Sequence, residues 1–165
     1  MRPKSGLPFL IVALAGVWVL VTASLRSDEL LIGGLAVVIV ALATRTLWGT
    51  YSGIRLSPKS IVYAIVYFLL FLRELVKANL DVAVRVLNPS LPIRPGIVEV
   101  KTGMKSPLGK LVLANSITLT PGTLTLDVRD DRMFIHWIDV QGQDIDTATK
   151  AIVGTFEKTL KEVVE

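Results

Sequence analysis

From Ser5 to Leu25 the chain runs 21 residues without a charged side chain, and from Leu30 to Thr44 it runs a further 15. A helix rises 1.5 Å per residue, so the first run matches a hydrocarbon core of about 30 Å and predicts a transmembrane helix. The second reaches Trp48 if Arg45 extends its head toward the interface, and predicts another. Only Arg26, Ser27, Asp28 and Glu29 lie between them, which predicts a tight antiparallel hairpin. Arg2 and Lys4 flank one end and Arg45, Arg55 and Lys59 the other, so the positive-inside rule places both ends in the cytoplasm. The first run resembles a signal peptide in its basic start and in Val21-Thr22-Ala23. Its length and the apolar run that follows argue against cleavage.

A third apolar run, Ile61 to Leu72, has twelve residues and continues without a helix breaker to Asn88-Pro89. In the tail Lys77 and Asp81, Asp81 and Arg85, and Glu74 and Lys77 stand at helical pair spacing. Leu72, Leu75, Val76, Leu80, Val84 and Leu87 supply an apolar stripe. One long helix follows, embedded at its start and amphipathic later. If it spanned, the basic residues of the following domain would lie outside, against the positive-inside rule. The bias favours a helix at the inner leaflet or against partner subunits.

Beyond residue 88 the pattern changes. Pro89, Pro92 and Pro95 break helix, and Ile97 to Lys101 alternates as a strand. Ser106-Pro107 reads as N-cap and first helical position, with Leu108, Leu111, Val112 and Asn115 following at helical spacing. Thr123 to Val128 alternates, with Leu124, Leu126 and Val128 on one face and Thr123, Thr125 and Asp127 on the other. Asp130-Asp131 turns the chain into an antiparallel strand from Met133 to Val140. Asp144 to Val164 closes as one helix with Ile145, Ile152, Phe156, Leu160 and Val163 on a stripe. A rival parse makes a hairpin of Ile117 to Leu126 around Pro121-Gly122, whose order suits a type II turn. The fold class expected is an α-helical membrane hairpin with a third, partly embedded amphipathic helix, then a small α+β (βαββα) domain. The boundary falls between a membrane-anchoring region, 1–88, and a soluble domain, 89–165.

Composition supports that division. Of the 165 residues 52% are hydrophobic, and the net charge of +4 arises in residues 1–88, where nine basic residues face four acids. Residues 89–165 carry nine against ten, so the basic excess belongs with lipid and topology and no nucleic-acid surface is expected. The chain has no cysteine, which excludes disulfides and thiolate chemistry.

Candidate chemistry is sparse. Ion relays across a bilayer need ionisable groups at depth, and the interiors of the two apolar runs hold none. Glu74, with Lys77 beside it, is the candidate for an ion path or an interface. Gly103 to Lys110 (GMKSPLGK) departs from a P-loop in glycine spacing and lacks its Ser/Thr. Asp127, Asp130, Asp131 and Asp139 crowd one hairpin, where turn and edge positions explain them without a metal. Asp144 and Asp146 read as N-cap and first-turn dipole partner. His136, the single histidine, reads as a structural imidazole. Asn115, Pro121, Gly122, Thr123 and His136 make up a structural motif. No catalytic residue, cofactor or metal is expected, and enzyme activity is not.

Residues 73–89 (RELVKANLDVAVRVLNP), 93–100 (IRPGIVEV), 113–128 (LANSITLTPGTLTLDV) and 136–140 (HWIDV) resemble the E subunit of the multisubunit (Mrp-type) Na+/H+ antiporters. The resemblance covers most of the chain, and ITLTPGTLTLDV is its most specific part. It implies a multi-pass subunit of a hetero-oligomeric complex in the bacterial plasma membrane, exchanging cytoplasmic Na+ for external H+. Other subunits of the complex and the lipid bilayer are the partners, and the C-terminal domain is cytoplasmic. Larger subunits would carry the ion pathways, and no catalytic residue is carried over. The competing reading is a stand-alone membrane-tethered module whose βαββα domain senses a ligand or a protein.

Overall fold

A computed structural model describes residues 6–47, 57–142 and 144–165 of the chain. Two compact units emerge, Met1–Leu56 and Ser57–Glu165.

The first unit is a hairpin of α1 (Leu7–Thr22) and α2 (Ser27–Ala43), followed by a single 3-10 turn, Arg45–Leu47. The Trp18 indole N–H donates to the Glu29 carbonyl at 3.1 Å. A Cβ added to Gly33 would lie 2.5 Å from the same ring, so glycine is what lets the indole close the hairpin. Two expectations are corrected here. The turn falls at residues 23–26, because Ala23 adopts a left-handed φ of 49° and caps α1, while Asp28 and Glu29 enter the first turn of α2. Acids there suit the positive end of the helix dipole. The first helix is also shorter than its apolar run. With 16 and 17 residues α1 and α2 are about 24 and 26 Å long. Among the described residues no helix is long and apolar enough to cross a membrane. Arg2, Lys4, Ser5, Trp48 and Arg55, which entered the span and orientation arguments, lie outside the described residues.

The second unit begins with α3 (Pro58–Leu87), capped by the Ser57 hydroxyl, which accepts the Ser60 N–H at 3.1 Å. There follow β1 (Gly96–Lys101), α4 (Pro107–Leu119), β2 (Thr123–Arg129), β3 (Arg132–Trp137), α5 (Ile145–Ile152) and α6 (Gly154–Val164). The three strands form an antiparallel sheet in the order β1-β3-β2. Its inner face supplies Val98, Val100, Met133 and Ile135. These pack with Leu113 and Ile117 of α4 and with Ile152, Phe156 and Leu160 of α5 and α6. The single helix expected over Asp144 to Val164 is two, broken at Val153 and Gly154. The Phe156 N–H there bonds the Val153 carbonyl three residues back, at a glycine of poor helix propensity.

α3 belongs to this unit although its composition resembles the membrane half. Tyr67 and Phe71 pack against the core, and Tyr67 meets Phe156 edge-on with ring centroids 6.2 Å apart. The face turned to the domain is Tyr63, Tyr67, Phe71, Glu74, Ala78 and Arg85, all half-buried. Most of the apolar stripe, expected to meet the inner leaflet or partner subunits, points away from the domain. Leu72, Val76, Leu80, Val84 and Leu87 are exposed, continuing the exposed Ile61, Ile65 and Leu69.

Candidate interface cleft beside the Pro-Gly turn

α4 ends in a run of hydroxyls, and these explain the threonines of TLTPGTLT. A helix leaves its last carbonyls without intrahelical donors. Thr120 Oγ1 donates to the carbonyls of Ser116 and Ile117, both at 2.8 Å. Thr123 Oγ1 reaches the Ile117 carbonyl at 2.6 Å, and Thr125 Oγ1 the Ala114 carbonyl at 3.1 Å. The polar face of β2 is therefore the one that packs on α4, and Leu124 and Leu126 face outward. A register shift between Thr125 and Asp127 breaks the alternation, bringing Asp127 opposite Phe134 and Val128 opposite Met133.

At Pro121-Gly122 the chain turns, with the Thr123 N–H bonding the Thr120 carbonyl at 3.3 Å and Gly122 at φ +94°. The rival hairpin over Ile117 to Leu126 does not form, since Ile117 to Leu119 are helical. The Gly122 carbonyl accepts the Ile138 N–H at 2.8 Å. A Cβ at Gly122 would meet Ile138 Cγ2 at 2.9 Å and Val82 Cγ2 of α3 at 3.8 Å.

Between this turn, α3, the exit of β3 and the α5–α6 corner lies a cleft of about 400 Å³. Glu74, Lys77, Pro121, Gly122 and Thr123 line it. Two groups far apart in the sequence, Glu74 with Lys77 and the Pro121-Gly122-Thr123 turn, thus line one cleft. Asn115 is instead exposed on α4, and His136 is half-exposed on the outer face of the sheet.

The charge centre of the cleft is Asp139, which carries 8% exposure. Its carboxylate accepts from Arg94 Nε at 2.9 Å and pairs with Arg85 Nη1 at 3.0 Å. Arg85 also pairs with Asp81 at 2.7 Å and donates to the Pro92 carbonyl at 2.7 Å. Backbone bonds from Arg94 to Ile138 and from Val140 to Arg94, each 3.0 Å, stitch the proline linker onto the strand exit. Glu74 is mostly covered and lies 3.3 Å from Arg73 and 3.7 Å from Lys77. Near the other end of α3, the Tyr67 and Ser116 hydroxyls share a hydrogen bond of 2.6 Å.

Sequence reasoning grouped Asp139 with the hairpin acids. The structure separates them, since Asp127 pairs with Arg129 at 2.6 Å near the far end of the strands. Among the described residues no group of three or more metal-ligating side chains converges. The available signal was one acid inside the apolar stretch Trp137 to Val140, where a buried charge requires a partner.

The Arg94 hydrogen bond, aided by the charges of Arg94 and Arg85 and opposed by burial, holds the Asp139 carboxyl below the ordinary value of 3.8. A carboxyl depressed in the folded state stabilises above its unfolded value, and that contribution is lost as pH falls through the folded value. Wild type should therefore melt above Asp139→Asn by a constant margin at neutral pH. The margin should close below about pH 4, the ordinary carboxylate range. Thermal unfolding in mild detergent measures it, and a margin insensitive to pH would remove Asp139 from the latch.

The arrangement offers a charged, hydroxyl-lined concavity without a nucleophile and base in contact. The Na+/H+ ion antiporter subunit family MNHE matches residues 11–163. The chain belongs to that family. The E1 subunit of a Na(+)/H(+) antiporter of Staphylococcus haemolyticus (strain JCSC1435) is 36% identical over 155 residues, covering 92% of this chain and 93% of the relative. The E subunit of a Na(+)/H(+) antiporter of Alkalihalophilus pseudofirmus is 41% identical over 107 residues, 63% of this chain and 66% of the relative. A solved chain from the membrane-bound sulfane sulfur reductase, described as an archaeal respiratory membrane complex, matches with a TM-score of 0.83 and 48% identity. It covers 95% of this chain and 98% of its own. The family match thus takes in both the hairpin and the α+β unit, over residues 11–163.

Proposed function

We propose that this E-family chain is an accessory subunit of a multisubunit Na+/H+ antiporter, holding the assembly together without itself conducting ions. The observation that carries the reading is where the charges of α1 and α2 lie. Leu7 to Thr22 has no ionisable residue, and α2 has only Asp28 and Glu29, in its first turn. A relay needs such groups at depth. The hairpin embeds in the bilayer, its short helices accommodated by local thinning and by polar ends reaching the interface. The outward stripe of α3 meets lipid or neighbouring subunits. The 89–165 region sits on the cytoplasmic side, and Glu74 and Lys77 belong to an interface. The purified chain alone in liposomes should give no Na+-dependent proton flux, while the complex containing it should. Exchange by the single chain would sink the proposal.

Topology has its own test. The chain lacks cysteine, so single cysteines at Ser27 and Thr147, both exposed, report cleanly. An impermeant thiol reagent on intact cells should label position 27 and spare position 147. Labelling at 147 would place the α+β region outside.

A second reading has its own support, the 48% identity to a chain of a respiratory membrane complex. The bracing role would be the same there. The subunits that co-purify decide between the two, since a respiratory assembly brings redox-active partners.

A further inference from the structure

The helices of the 57–165 unit cover one face of its sheet and leave the other bare. Register places Ile97, His136 and Leu124 in one row across that bare face. Ile97 is 65% exposed and Leu124 45%, with Leu126 at the register shift 50%. The next two rows carry charges, Glu99 and Asp127 on either side of Phe134, then Lys101, Arg132 and Arg129. Glu99 lies 2.7 Å from Arg132 and Asp127 2.6 Å from Arg129, whose guanidinium also sits over the Phe134 ring at 5.6 Å. Exposed apolar side chains on either side of His136, beside paired charges, have the mixed character of a contact surface.

We infer that this face docks an apolar, uncharged segment of a neighbouring membrane-anchored subunit, an inference that rests on the accessory-subunit reading. Size and charge choose the occupant. Three strands about 4.8 Å apart and six residues rising about 3.3 Å each give roughly 300 Å² of face. A stable association in solution buries about 800 Å² per partner. The face is too small to hold a second copy or a free soluble protein by itself. It suffices for a neighbour already held alongside by the membrane region, because tethering raises the local concentration. Glu99 pairs with Arg132 and Asp127 with Arg129, so beyond those pairs the face carries the single positive charge of Lys101 at the end of β1, and its exposed apolar side chains set the chemistry of the occupant.

The test uses the full chain in its native membrane. Ile97 is replaced by the photo-reactive residue benzoylphenylalanine, the membranes are irradiated, and the complex is purified in mild detergent. The expected result is an adduct with a different chain of the complex. Leu124→Lys on the same face should reduce that adduct about tenfold, the effect of about 1.4 kcal/mol. Leu111→Lys, on the exposed side of α4, should leave it unchanged. Circular dichroism of both variants checks that the domain remains folded. An intact complex with no adduct at position 97, or adducts only with lipid or between two copies, overturns the inference while sparing the reading beneath it. A chain that purifies alone overturns both.

Discussion

Phe156→Ala should destabilise the 57–165 unit by about 3–5 kcal/mol, the scale for truncating a buried aromatic. Phe156 is 4% exposed and stands where three parts of the unit meet. On one side it belongs to the core with Met133 and Ile135 of the sheet, and on the other its ring meets Tyr67 of α3 edge-on. It also lines the cleft that holds Asp139. The edge-on pair is worth a further ~0.5–1.5 kcal/mol beyond burial. Small domains have only about 5–15 kcal/mol in total, so the loss is a large share. The effect should concentrate on α3, whose amides should exchange faster while β1 and β3 keep more protection. Tyr67→Phe is the companion variant. It keeps the ring and removes only the bond to Ser116, so about 1 kcal/mol is expected. Thermal melts and hydrogen exchange in mild detergent measure both. A Phe156→Ala chain that melts like wild type would mean that α6 does not hold α3 in place.

Gly122→Val should cost about 1–3 kcal/mol from backbone strain alone, because a β-branched residue is forced to φ +94°. Its Cβ would press on Ile138 at 2.9 Å, so the turn must shift away from β3 and from Val82 of α3. The bond from Ile138 N–H to the Gly122 carbonyl then weakens, and Asp139 follows directly in the chain. The damage therefore passes from a turn to the ion-pair latch. Complex yield should fall, and transport should fall in proportion to it. Assembly at full yield with no transport would contradict a structural role and would make the turn part of the ion-translocating machinery.

Much of the fold was legible because its signals are local. Ser106-Pro107 announced the start of α4, and the Ser106 hydroxyl accepts the Gly109 N–H at 3.0 Å. Asp144 does the same for α5, accepting from Thr147 at 2.8 Å. Pro121-Gly122 announced a turn whose positive φ only glycine adopts freely. The β2–β3 hairpin followed from alternation with two aspartates between. The break at Val153-Gly154 was less legible, since a lone glycine inside an apolar stripe is weaker punctuation than a proline.

Sequence by itself determined the elements, the absence of thiol chemistry, the empty electrostatics of the two apolar runs and the resemblance that proved to be the family. These depend on neighbours within a turn or two of chain, or on composition, and no fold is needed to read them. Tertiary structure alone decided which faces meet. It turned the threonine side of β2 inward, because those hydroxyls satisfy carbonyls of α4 that the sequence cannot show to be unsatisfied. It turned most of the apolar stripe of α3 outward, because Tyr67 and Phe71 face a core assembled from residues far along the chain. It joined Arg85 to Asp139 across 54 positions, a pairing that has no local signature because charge partners are chosen by proximity in space.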